Sequence, residues 1–401
     1  MPVRSMHVAD SRGGGGAELV FNQTVEAAIA LGHETLVYVS GERRGPVGYV
    51  FSARALLSMA RALRRFEPDI VHVQNYYHYL SPSILLALRR YKARRPDLLV
   101  VFSAHDFHLV CPNSGFQTFG GGTRTNLDPA RPSVRLLARY DQRSWLHSSL
   151  KLLQHIVSYR LLRLHEVFDV VVAPGPFLAG VLSAAFPDLP VAVVRNPVPA
   201  QAPAAGVASR ESSDRQLVFA GRLDPVKGLE ECVGVLDDVA WSTPDGGPLR
   251  LDVYGDGPLR ARLETIAGRL QNVAVRFHGH ASRRALLFEL SSYAACIAPS
   301  TCFETGALSL LDAASAGLPV VAPRMGAFVD AAAHCEIAYL YEPSSPDELR
   351  ECVSRAVSDP RRNRLVDPDD LSFDRYIERL AAIYSRLTVA HRAAARLAVT
   401  G

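Results

Sequence analysis

Short apolar runs alternate with helical stretches along almost the whole chain, and this alternation constrains the fold more than any other feature. Segments 3–9, 34–39, 70–74 and 98–103 read as strands, and segments 17–31, 53–66 and 82–91 between them read as helices. Strand–helix–strand order predicts a mostly parallel sheet covered on both faces. Right-handed crossovers make that sheet open and doubly wound. A loop rich in Gly and Asn follows at about 108–132. It is long for a connection in a compact domain, and reads either as a disordered excursion or as a lid or acceptor-binding loop. A helical stretch over 133–166, a strand at 170–173, a helix at 176–185 and a strand at 191–195 complete the first half.

Segment 197–213 is rich in Ala, Pro and Ser, lacks periodicity, and is the best linker candidate. After it the pattern restarts. Strands are expected at 216–220, 250–254, 274–278, 294–298 and 319–322, and helices at 229–239, 260–267, 283–290 and 307–316. A helical tail covers 346–357 and 373–387. The expected organisation is an α/β chain of two Rossmann-like domains, 1–197 and 214–372, facing a central cleft and joined by a linker at 198–213. A C-terminal helical segment, 373–401, is long enough to cross back to the first domain.

Composition narrows the function classes. With 48% apolar and 21% charged residues over 401 positions, the chain can fill two cores. Net charge is +4, from 44 basic and 40 acidic side chains, so bulk charge gives no case for nucleic acid as a partner. Apolar runs are broken by charges before the ~18 residues a spanning helix needs. The start runs directly into a strand without a secretory pattern, so a cytoplasmic location is expected. Cys111, Cys232, Cys296, Cys302, Cys335 and Cys352 form no close pair and read as scattered small hydrophobes in a reducing compartment. No metal is expected. Asp367-Pro368-Asp369 has a D-x-D spacing but reads as a turn in the tail.

Four segments could carry chemistry. Gly13-Gly14-Gly15-Gly16-Ala17-Glu18 follows the first strand, where glycines allow close backbone approach and helix-start amides can hold a phosphate. It is neither a dinucleotide fingerprint nor a Walker A loop, and a plain flexible turn is the alternative. Gly221-Arg222-Leu223-Asp224-Pro225-Val226-Lys227-Gly228 follows the first strand of the second domain, at the end of a sheet where ligands usually sit. Two cations there suit a diphosphate; a solvated pair is the bland reading. Lysine is rare here, occurring only at Lys92, Lys151 and Lys227. Tyr254-Gly255-Asp256-Gly257-Pro258 is a tight turn bordering the same place.

The fourth segment is the most informative. Pro299-Ser300-Thr301-Cys302-Phe303-Glu304-Thr305-Gly306-Ala307 leads into an almost wholly apolar helix. The amides of Gly306, Ala307 and Leu308 at its start form a ready anion site. Glu304 is a candidate ligand-binding acid, or simply a first-turn acid. Asp312 is a lone carboxylate within the apolar helix; burying it unpaired is costly, so it needs a protein donor or a ligand hydroxyl.

Taken in order, these motifs resemble the retaining GT-B glycosyltransferases, in particular the glycosyl-transferases group 1 family (family 4). The signature of an acid, seven residues and a second Glu falls on Glu304 and Asp312, the second one methylene short. Gly32-His33-Glu34, His105-Asp106 and Arg195-Asn196-Pro197-Val198 match as well. The resemblance spans about residues 8–330. It implies a donor nucleotide-sugar of UDP or GDP type as co-substrate. Arg222 and Lys227 would hold the diphosphate, with Gly15, Gly16 and Gly255 approaching the donor. Glu304 would hold sugar hydroxyls, the amides of Gly306, Ala307 and Leu308 would touch sugar or phosphate, and Asp312 would bind ribose. His105 would line the reacting carbon. Together His105, Arg222, Lys227 and Glu304 are the expected catalytic set. A front-face route, in which the leaving phosphate takes the acceptor's proton, would give retention of configuration.

Acceptor recognition is expected from the first domain, through Gly14, Asn75, Tyr76, Asp106 and His108. The acceptor could be a carbohydrate, a lipid-linked saccharide or a small molecule. Between 131 and 165 the cations Arg131, Arg135, Arg139, Arg143, Lys151, Arg160 and Arg163 face one acid, Asp141. That stretch reads as a solvated helix face or as a peripheral contact with an anionic membrane. Two other functions stay open: a nucleotide-sugar epimerase or phosphorylase of the same fold, and a non-catalytic binding or scaffold protein.

Overall fold

The computed structural model describes residues 2–10, 15–40, 45–121, 123–199, 216–241, 243 and 246–385. They fall into two compact units, Met1–Pro197 with Phe373–Gly401, and Val198–Ser372. Most of the expected linker, 200–213, lies outside the described residues.

The first unit holds a parallel sheet of β1 (Arg4–Ala9), β2 (Glu34–Val39), β3 (Ile70–Val73), β4 (Leu99–Ser103), β7 (Val170–Ala173) and β8 (Val191–Val193). Its strand order is β2-β1-β3-β4-β7-β8. The central strands β3 and β4 are buried along their whole length, as mainly apolar strands covered on both faces must be, and their polar His72 and Ser103 are hydrogen-bonded. Helices α1 (Gly16–Ala30), α2 (Pro46–Val50), α3 (Ala53–Phe66), α4 (Ser83–Lys92), α5 (Trp145–His155) and α6 (Pro176–Ala185) connect the strands. The start of α3 is fixed by Ser52, whose hydroxyl accepts from the Ala55 amide at 3.2 Å.

Two expectations in this unit are corrected. The 108–132 loop carries an antiparallel hairpin, β5 (Gln117–Gly120) with β6 (Thr123–Asn126). The 133–166 stretch is not one helix: α5 ends in a π-helical turn, Ile156–Leu161, and a 3-10 turn follows at Leu164–Val167. Ahead of α5 the chain turns about buried Asp141, which accepts from Arg143 and Lys151 at 2.8 and 3.1 Å.

The second unit repeats the architecture with β9 (Leu217–Ala220), β10 (Leu249–Tyr254), β11 (Val273–Gly279), β12 (Ala295–Ile297), β13 (Val320–Pro323) and β14 (Ala338–Tyr341), in the order β11-β10-β9-β12-β13-β14. All pairings are parallel. Its helices are α7 (Leu229–Asp237), α8 (Arg260–Ala267), α9 (Arg283–Leu290), α10 (Leu308–Ser315), α11 (Ala327–Ala332) and α12 (Pro346–Ser358). Both α11 and β14 go beyond the expected elements, and β14 completes the sheet by pairing with β13 from Val320↔Ala338 to Pro323↔Tyr341.

The chain then returns to the first unit. A last helix, α13 (373–385), lays Tyr376 and Tyr384 into that core, at 2% and 3% exposure. Their hydroxyls lie 2.7 Å from Thr24 Oγ1 on α1 and 2.7 Å from His72 Nδ1 on β3. Residues beyond 385, part of the expected C-terminal helical segment, are outside the described set.

Candidate functional site

Each strand order reverses direction once. In the second sheet the chain moves outward from β9 through β10 to β11, then restarts on the other side at β12. Loops after β9 and β12 therefore diverge and leave a crevice at the carboxyl ends of the strands, the place where open α/β sheets bind ligands. The expected donor motifs lie on these two loops and on the turn after β10.

Backbone contacts weld the three together. The Thr301 amide donates to Val226 O at 2.9 Å, and the Leu223 amide to Asp256 O at 3.0 Å. Gly228 has φ +64°, and a Cβ there would stand 2.1 Å from Pro299 O. Gly255 has φ +142°, and a Cβ there would stand 1.8 Å from Gly221 O. Only glycine admits both the backbone conformation and the approach. The Gly-Asp-Gly-Pro turn thus has a structural task in locking the β9 loop.

This packing brings Lys227 to Glu304. Lys227 Nζ lies 2.5 Å from Glu304 Oε1, which also accepts from Ser300 Oγ at 3.0 Å. Burial works against the ammonium, and the Glu304 carboxylate more than offsets it, so the Lys227 pKa is raised. Two residues beyond Glu304, Gly306 and the buried Ala307 (φ 43°) lead into α10, whose first inward bond is Leu310 N to Ala307 O at 3.1 Å. The amides of Leu308 and Ser309 precede it, so this end of α10 carries the unspent donors and positive dipole of a helix start. A cation, a hydrogen-bonding carboxylate and helix amides on adjoining loops can hold a diphosphate together with a hydroxylated ring.

Arg222 stands apart from this group. Its side chain is 72% exposed and its nearest acid is Asp224, 3.9 Å away. Asp312, expected to bind ribose, has a partner within the protein. The buried carboxylate is gripped by Arg283 on α9 through a fork of 2.8 and 2.5 Å. Burial pushes the Asp312 carboxyl up while the guanidinium pulls it down, with a net rise. The donor that the sequence requires for Asp312 is thus supplied by the protein. Arg283 was not singled out from sequence; nothing local links two residues so far apart in the chain.

In the first unit the reversal falls between β1 and β3. Asp10, at the end of β1, accepts from the amides of His78, Tyr79 and Leu80 at 2.8, 2.9 and 2.8 Å, pinning the β3–α4 loop. Gly15 caps α1, its amide donating to Glu18 at 3.1 Å; Gly15 and Gly16 are exposed, and Gly14 lies outside the described residues. His105 follows β4, and its Nε2 lies 2.7 Å from Gln74 Oε1. Burial lowers its pKa to about 4, so the ring is neutral at pH 7. Asn75 is half-buried at the end of β3.

Of the other expected acceptor residues, Tyr76 and His108 lie in the core and Asp106 is half-buried. Tyr76 is fully buried, its hydroxyl 2.7 Å from that of Tyr159, and His108 is buried with its ring stacked 3.6 Å from Tyr77. Both are core side chains. Asp106 is half-buried, its carboxylate accepting from Tyr77 OH and, at 2.8 Å, from the His108 amide. Their common signal, hydrogen-bonding aromatics after a strand, belongs equally to an aromatic core.

Of the cations expected as a basic face, Arg143 and Lys151 are held by Asp141, Arg163 by Glu166, and Arg139 by the carbonyls of Asp141 and Gln142. No helix among the described residues is long and apolar enough to cross a membrane. Nor, among those residues, do three or more His, Cys, Asp or Glu gather in a metal-ligating group.

Two Rossmann-like units, each with a site at its sheet reversal, define the GT-B class of glycosyltransferase folds. Residues 206–367 match the family described as glycosyl transferases group 1, so the second unit is a domain of that family. Solved structures share the fold over nearly the full chain. HepE of Anabaena, in complex with UDP and glucose, is similar with a TM-score of 0.61 at 15% identity, covering 96% of this chain and 100% of that one. An α,α-trehalose-phosphate synthase (UDP-forming) from Burkholderia vietnamiensis has a TM-score of 0.63 at 12% identity over 97% and 100%. Among curated proteins, 2-deoxystreptamine N-acetyl-D-glucosaminyltransferase of Niallia circulans is 33% identical over 131 residues, 32% of each chain. The GDP-mannose-dependent α-(1-6)-phosphatidylinositol dimannoside mannosyltransferase of Mycobacterium tuberculosis is 32% identical over 149 residues, 37% of each. The matched segment spans about a third of these curated relatives.

Proposed function

We propose that the protein transfers a sugar from a nucleotide-diphosphate donor to a hydroxyl acceptor, with retention of configuration. The observation that carries this reading is the Lys227–Glu304 pair beside the start of α10, at the reversal of the second sheet. Its support from outside is the family match over the same residues and the UDP held by a relative of the same fold.

Breaking the sugar–phosphate bond places negative charge on the diphosphate and positive character on the ring. Lys227 and the α10 amides stabilise the first as it develops. A diphosphate competes with Glu304 for the Lys227 ammonium, and its entry turns the Glu304 carboxylate towards sugar hydroxyls. Arg222, exposed and held by no close ion pair among the described residues, swings onto the outer phosphate. The leaving phosphate takes the acceptor proton on the face it departs from, which gives retention. His105, neutral at pH 7, offers the sugar an uncharged imidazole. Donor and acceptor are a nucleotide-sugar of UDP or GDP type and a carbohydrate, lipid-linked saccharide or small molecule.

A panel of nucleotide-sugars tests this. The expected result is release of the nucleoside diphosphate from one of them, lost in Lys227→Met and Glu304→Gln, with an axial–equatorial assignment of the product by NMR matching the donor. No release from any donor, with or without sugar acceptors, contradicts it.

A further inference from the structure

Gln74 and His105 stand side by side beyond the ends of the adjacent strands β3 and β4, which pair in parallel. The 2.7 Å contact joins His105 Nε2 to Gln74 Oε1. A carbonyl oxygen only accepts, so Nε2 carries the ring proton. What holds that amide oxygen towards His105 lies on the far side of Gln74. Its amide nitrogen donates to Thr24 Oγ1 at 2.9 Å. Thr24 has a single hydroxyl proton, and that proton is directed at Val20 O, 2.7 Å away within α1. The Thr24 oxygen is thereby left to accept, from Gln74 on one side and from Tyr376 OH, 2.7 Å away, on the other. A flipped Gln74 would put a carbonyl against an oxygen with no proton to give.

Thr24, Gln74 and Tyr376 are buried, at 0%, 1% and 2% exposure. Water therefore does not compete for these bonds, and an unmade one is costly. A second line runs parallel to the first. Tyr384, also on α13, meets His72, whose Nε2 lies 2.8 Å from Ser103 Oγ, two residues before His105.

We infer that the returning helix α13 sets the tautomer of His105 through Tyr376, Thr24 and Gln74, so that the ring enters the reaction as the Nε2–H form with Nδ1 as its acceptor nitrogen. Tyr376, Thr24 and Gln74 are then positioning residues. The value of the wiring for turnover rests on the glycosyltransferase reading; the wiring itself does not. It gives the last helix a task in the first unit beyond covering its core.

The test uses the full chain labelled with 15N-histidine, with His105→Asn identifying the resonance. His105 shows an Nε2-bound proton that exchanges slowly with solvent. Thr24→Val keeps the side-chain shape, removes the hydroxyl, and speeds that exchange by about tenfold or more, while amides of β1, β3 and β4 stay protected. Tyr376→Phe shifts it in the same direction by less. Unchanged exchange in both variants, or an Nδ1–H ring in the unmodified protein, overturns the inference. For turnover of the donor found in the panel, Gln74→Leu lowers kcat about tenfold with little change in KM. Gln74→Glu still accepts from Nε2–H but sets a second carboxylate oxygen against the Thr24 oxygen; its charge raises the His105 pKa and moves the acid limb of the kcat profile upward. Absence of any donor turnover overturns the functional reading, and the exchange measurement still decides the wiring.

Discussion

Replacing Lys227 by methionine keeps the length of the side chain and removes its charge. The ammonium meets Glu304 at 2.5 Å and is 28% exposed, so the pair sits between the surface and the deep interior. A charge-assisted bond to phosphate at such a place contributes about 1.5–3 kcal/mol, or a factor of about 10 to 150 in affinity. Suppose UDP is supplied at about 100 times its dissociation constant, which stabilises the protein by about 2.7 kcal/mol. A hundredfold weaker site at the same concentration gives only about 0.4 kcal/mol. For a unit of this size that is a fall in the ligand-induced Tm rise from about 5–11 °C to about 1–2 °C. The difference between liganded and unliganded scans is the quantity to read, because losing the pair also lowers the stability of the protein alone. Differential scanning fluorimetry with UDP and GDP measures it. A Tm rise in Lys227→Met equal to that of the unmodified protein refutes the assignment of Lys227 to the diphosphate.

Three further outcomes are expected. Arg283→Met strands the buried Asp312 carboxylate and costs about 3–5 kcal/mol in urea unfolding, whereas adding Asp312→Asn recovers most of that loss; additive effects would deny the fork. Gly228→Ala must shift the β9 loop off Pro299 and force a non-glycine residue to positive φ; a loss of at least about 1–2 kcal/mol is expected with weakened UDP binding, and an unchanged urea midpoint contradicts the close approach. Burial holds His7 at about 3, His105 at about 4, and His72 well below its ordinary value, so the unfolded chain takes up protons that the folded chain refuses. Their contribution is present above the unfolded value near 6.5 and declines as pH falls below it, at up to about 1.4 kcal/mol per pH unit for each ring. The protection factors of amides in β1, β3 and β4, corrected for the intrinsic exchange rate at each pH, should therefore fall between pH 6.5 and 5; protection factors independent of pH there contradict it.

The sheets are readable because their inner strands are short, mainly apolar runs, as Val170–Ala173 shows with all four residues buried. Segments without that contrast were not. The β5–β6 hairpin is built from polar residues such as Gln117, Thr118, Thr123 and Asn126, and shows no alternation to read. The run over 327–341 is apolar nearly throughout, so the break between α11 and β14 carries no local mark; parallel pairing to β13 decides it. Motif spacing singles out Lys227 and Glu304, each carried by its own loop, and the fold brings the two together. Contacts between distant segments had no such signal. Arg283 reaches Asp312, Gln74 reaches His105, and Tyr376 reaches Thr24 across separations that only the folded chain closes. Tyr76 and His108 show the converse error, where a residue type suited to sugar binding is spent on an aromatic core.

A crystal structure of the full chain with UDP bound tests the central claim most directly. The account places a phosphate oxygen within hydrogen-bond distance of Lys227 Nζ and of an amide at the start of α10, with Glu304 turned away from Lys227. Electron density for the nucleotide anywhere else on the chain, or a Lys227–Glu304 pair untouched beside bound UDP, contradicts it.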